Sequence, residues 1–77
     1  MNCKQFRVTM VWDDDRWYTE ENDGLGLTLE HGSFDALVER VRMAVPEMAE
    51  LNFEYKGEIE LQFDIKRIDN LAGVADG

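Results

Sequence analysis

From Phe6 to Trp12 the residues Phe6, Val8, Met10 and Trp12 alternate with Arg7, Thr9 and Val11. A period of two predicts a strand with one face on a core. Asp13, Asp14 and Asp15 follow at once, and three adjacent carboxylates disfavour continued pairing, so a turn is expected there. Trp17 to Glu20 then reads as the return strand of a hairpin. Asn22, Asp23 and Gly24 form a second turn cluster, after which Leu25, Leu27 and Leu29 alternate on a third strand. Gly26 lies inside that strand, where glycine weakens pairing or marks a bulge.

His31 and Gly32 close the strands, and Ser33 is placed as a helix N-cap, its hydroxyl able to accept from a free first-turn amide. Phe34, Leu37, Val38, Val41, Ala44, Val45 and Met48 recur at spacings of three and four, one stripe of an amphipathic helix. Asp35 complements the helix dipole. Pro46 donates no amide and clashes with the preceding turn, so the helix is expected to end or kink near Val45, with a short turn through Leu51. Asn52 to Gly57 reads as a loop anchored by Phe53 and Tyr55. Glu58 to Lys66 then alternates cleanly, with Ile59, Leu61, Phe63 and Ile65 on one parity. Residues 69–77 show neither period and are expected to form a disordered tail to a domain of residues 1–68.

A helix between strands makes a crossover that brings the last strand parallel to an earlier one, here the first. The expected fold is therefore α+β, β-β-β-α-β, with a four-stranded mixed sheet in the order 3-2-1-4 and one helix on one face. Its core is expected to hold Phe6, Val8, Met10, Trp12, Leu37, Val41, Val45, Ile59, Leu61 and Phe63.

Length narrows the energetics. Seventy-seven residues make one domain with a modest core, and chains this short gain stability from disulfides, metals or association. Cys3 is the only cysteine and His31 the only histidine, which excludes an internal disulfide and a cysteine metal cage. A homodimer or higher homo-oligomer is thus expected, with the third strand, Leu25 to Leu29, as its exposed edge. The formal charge of −9, from 17 acidic and 8 basic residues, argues against a phosphate-binding surface and favours a basic protein partner. No run approaches the roughly 18 apolar residues of a membrane span, and no signal-peptide h-region opens the chain, so no membrane association and a cytoplasmic location are expected.

The strings FRVTMVWDDDRWY from Phe6, DGLGLTLEHGSFDAL from Asp23 and VRMAVPEMAELN from Val41 together resemble the short HicB-like family of uncharacterised bacterial proteins. That resemblance implies a partial RNase H architecture, in which the antitoxin's N-terminal domain holds a small basic toxin-like protein. Many HicB antitoxins also carry a C-terminal DNA-binding segment. None is legible here, so DNA binding by this chain alone is not expected.

Catalytic chemistry finds little support. Two-metal nucleases need carboxylates converging from different elements, whereas Asp13, Asp14 and Asp15 are contiguous and suit a solvated turn. His31 beside a glycine has no legible orienting partner, Cys3 has no CxxC partner, and Gly24 and Gly26 lack the remainder of a phosphate loop. No cofactor is implied. Trp12, Trp17 and Tyr18 crowd one hairpin as a stacking platform would, but the adjacent carboxylates repel phosphate. Met43 and Met48 read as core or edge filler. The expected function is a non-enzymatic protein-binding module, with Asp13, Asp14, Asp15 and Trp17 as candidate contacts. The competing reading is a nucleic-acid or small-molecule processing enzyme on a degenerate RNase H scaffold.

Overall fold

In a computed structural model describing residues 3–74, the chain forms strands β1 (Cys3–Asp13), β2 (Arg16–Thr19) and β3 (Glu30–His31), helix α1 (Phe34–Phe53) and strand β4 (Glu58–Ile68). The sheet order is β3-β2-β1-β4. β1 pairs antiparallel with β2 and parallel with β4, and β3 pairs antiparallel with β2. This is the α+β arrangement that the alternating patterns predict.

The helix covers one sheet face. Phe6, Val8 and Met10 of β1 meet Leu37, Val41, Val45 and Ala49 of α1 in the buried cluster, joined by Leu25 and Leu27. Trp12, Ile59, Leu61 and Phe63, expected in the core, are only half-buried. Val11 reverses the expectation for the opposite face: it is fully buried. The register sets Tyr18 and Lys66 on either side of it, and the Lys66–Glu20 ion pair at 3.4 Å spans β1. The lysine stem and the tyrosine ring thereby shield an apolar residue on a polar surface.

Two expectations about element boundaries are corrected. The helix does not stop at Val45 but runs unbroken through Pro46 to Phe53. Pro46 and Arg42 both lie on the exposed side, so the Arg42 carbonyl left without its usual amide donor faces water, while Val45 and Ala49 hold the inner side on the sheet. Asn52 and Phe53 consequently belong to the helix and not to a loop. Ser33 caps the N-terminus as expected, accepting from the Ala36 amide at 3.3 Å.

The segment Leu25 to Leu29 is not a strand, although Leu25 and Leu27 point inward as its alternation requires. Side chains take over the hydrogen bonds a ladder would make. The Asn22 side chain donates to the Leu27 carbonyl at 3.0 Å and accepts from the Leu27 amide at 3.1 Å. Thr19 Oγ1 accepts from the Leu29 amide, and Asn52 Nδ2 donates to the Leu25 carbonyl. Gly24 and Gly26 sit at φ of 79° and 75°, a left-handed region that glycine reaches without strain. The third strand is therefore only Glu30–His31. Residues 69–74 follow β4 without regular structure, and the rest of the expected tail lies outside the described residues.

Candidate functional site

The β1–β2 hairpin is closed by the pair Asp13 and Arg16, leaving Asp14 and Asp15 at the tip. The Asp15 amide donates to the Asp13 carbonyl at 2.8 Å, across an Asp14 held at φ 62°. Asp14 and Asp15 are exposed and Asp13 half-buried. Six ion pairs occur among the described residues, and none uses these three carboxylates. They do not converge either: no group of three His, Cys, Asp or Glu side chains among the described residues is arranged to hold a metal ion.

Directly behind the tip, Trp12 and Trp17 face each other across the two strands. Their rings are 5.3 Å apart and tilted by 49°. Trp17 also meets Phe34 edge-on at 4.8 Å, so one side of its ring fastens β2 to the first turn of α1. The other side opens on a cavity of about 450 Å³ lined by Trp12, Trp17, Ile65 and Arg67. Ile65 is 54% exposed. The lining is apolar but for Arg67, and the carboxylates of the tip lie beyond it. Trp17 is thus both a packing residue and a surface one, whereas the acidic triplet is surface alone.

Tyr18 stands apart from this patch. Consecutive strand residues point to opposite faces, so Tyr18 lies on the face away from the helix, with the Arg16 guanidinium 4.9 Å over its ring. The three hairpin aromatics therefore do not form one stacking platform. Met43 is exposed and Met48 half-buried at the core's margin. Cys3 is free and exposed. His31 is half-buried in β3, and its Nδ1 accepts from the Ser33 amide at 2.9 Å, a bond that shapes the entry to the helix.

Ile65 and Arg67 escape a sequence reading of this site. The alternation of β4 puts both on the helix-facing parity, but only the parallel register, with Met10 opposite Ile65 and Trp12 opposite Arg67, brings them beside the hairpin. Register across a long crossover has no local sequence signal.

Positive charge is distributed differently. Of the eight basic residues, Arg7, Arg16, Arg42, Lys56, Lys66 and Arg67 each pair with a carboxylate, Lys4 lies 5.2 Å over the Phe53 ring, and Arg40 is exposed on the helix. The net charge is −9, and Asp13 to Asp15 at the hairpin tip are three consecutive carboxylates.

Neither a curated protein nor a solved structure matches the chain. Residues 5–74 match a family model, and on that match the chain belongs to the family described as the domain of unknown function DUF1902.

Proposed function

We propose that this domain is a non-enzymatic protein-binding module that docks a small basic protein on the end of the β1–β2 hairpin, in the manner of an antitoxin domain. The observation that carries this reading is the nearness of unlike chemistries at one end of the hairpin: an open cavity lined by Trp12, Trp17, Ile65 and Arg67, and at the tip beyond it three carboxylates that no ion pair among the described residues engages. Interfaces concentrate binding on aromatic anchors ringed by polar groups, and acidic side chains at the neighbouring tip steer a cationic surface toward them. The likeness of the FRVTMVWDDDRWY string to HicB-like sequences supports the same class of partner.

Capture from native cell extract, with identification of retained proteins by mass spectrometry, tests the proposal. The wild-type domain should retain a small basic protein at low salt. The Asp13→Asn, Asp14→Asn, Asp15→Asn triple variant should lose it, and raised salt should weaken it. Equal recovery by the triple variant would remove the hairpin as the contact. Magnesium- or manganese-dependent cleavage of RNA or DNA that disappears in Asp13→Asn, Asp15→Asn would overturn the binding-module reading altogether.

A further inference from the structure

Among the described residues, β4 is an 11-residue strand paired on one side only. A row of unpaired backbone groups of this length is a template for another strand. Its helix-facing residues are also incompletely covered. Ile59, Leu61 and Phe63 are half-buried and Ile65 is exposed, with a shallow groove of about 170 Å³ between Ile59, Leu61 and the helix residues Arg42, Val45 and Pro46. The expected association edge at Leu25 to Leu29 is not a strand, so β4 is the long free edge of the sheet.

The sequence of β4, EIELQFDIKRI, is acidic at its start and basic at its end. Residues directly opposite in an antiparallel pair share a face. A two-fold axis at Phe63 therefore aligns all 11 residues of two copies and places Glu60 opposite Lys66, Leu61 opposite Ile65 and Phe63 opposite itself. Neighbouring registers that keep the faces matched fail. Centred on Gln62, the pairing sets Glu60 against Asp64; centred on Asp64, it sets that carboxylate against its own copy. The Phe63 register extends the ladder over all 11 residues, sets Glu60 against Lys66 on the outer face and Leu61 against Ile65 on the helix side, and leaves Arg67 opposite Ile59 near the strand ends. In it, Ile65 of the second copy comes beside Leu61 and the groove along α1.

We infer that β4 is a self-association edge, and that two copies of this chain join through antiparallel β4 strands centred on Phe63 into one continuous eight-stranded sheet. Both helices then lie on the same face, and the two hairpin tips lie at opposite ends of the joined strands. This goes beyond the proposed partner site and is tested with the purified protein alone.

Light scattering during gel filtration and sedimentation equilibrium, over a dilution series in the micromolar range, read the mass. The wild type should be a dimer. Lys66→Glu sets two carboxylates opposite one another twice and should raise the dissociation constant about tenfold or more. The double variant Glu60→Lys, Lys66→Glu restores opposite charges and should restore the dimer. Circular dichroism checks that each variant is folded, and the rescue separates the interface from any effect on the monomer. A wild-type monomer throughout the series, or a dimer indifferent to Lys66→Glu, would overturn the inference.

Discussion

Glu54 closes the helix in a geometry that glycine usually provides. Its amide donates to the Glu50 carbonyl at 2.9 Å, the 5→1 bond of an αL cap, and the Tyr55 amide reaches back to the Ala49 carbonyl at 3.2 Å. Glu54 is accordingly held at φ 54°, where a Cβ is crowded. The last turn also carries no basic residue, so the Glu54 carboxylate stands at the negative end of the helix dipole. Glu54→Gly should relieve both penalties and stabilise the domain by about 1 kcal/mol, raising Tm by about 4–8 °C in a domain of this size. A thermal melt followed by circular dichroism measures it. An unchanged or lower Tm would mean that the added chain entropy of the unfolded glycine variant outweighs the strain. None of this was legible in the sequence, because a glutamate before Tyr55 gives no sign of a left-handed cap. Ser33, by contrast, was legible as an N-cap because its residue type is itself the signal.

At the level of elements, the strongest periods translated directly into structure and the weaker ones were redirected by side chains. β1 and β4 follow their alternation, and α1 follows its stripe. The stripe in fact continues past the proline: Val45, Ala49 and Phe53 lie four residues apart, and the pull of that apolar face prevails over one missing hydrogen bond. Leu25 to Leu29 shows the opposite case, where correct alternation predicts burial but not pairing. Asn22 decides the matter. It is 8% exposed, and it bonds both backbone groups of Leu27. Asn22→Ala should leave the Leu27 amide without a partner in a buried segment, the Leu27 carbonyl keeping the Thr19 hydroxyl at 3.2 Å, and cost about 1–3 kcal/mol. Native-state hydrogen exchange should show the Leu27 amide losing protection by more than the global loss of stability. Protection that falls only in step with global stability would place the segment's anchor in the Thr19 and Asn52 bonds instead.

For the molecule as a whole, the candidate hairpin contacts were visible in sequence as a run of charge beside aromatics, while the cavity that Trp17 lines depends on β4 and so on long-range register. The long-range charge gives the two proposed associations opposite responses to salt. Docking of a basic protein joins unlike charges and should weaken steadily as ions screen them. Self-association instead brings together two bodies of formal charge −9, whose repulsion acts over distances beyond the Debye length of about 8 Å at physiological ionic strength. The Glu60–Lys66 contacts across the proposed two-fold act at close range, where screening is less complete. Raising salt from a few millimolar to about 0.15 M should therefore remove more repulsion than attraction, and the dimer should tighten while capture of the basic partner loosens. Sedimentation equilibrium at the two ionic strengths measures the first effect and the capture assay the second. A dimer that dissociates as salt approaches the physiological value would show that its stability rests on steering charges and not on the paired β4 backbones and the apolar contacts of Leu61, Phe63 and Ile65.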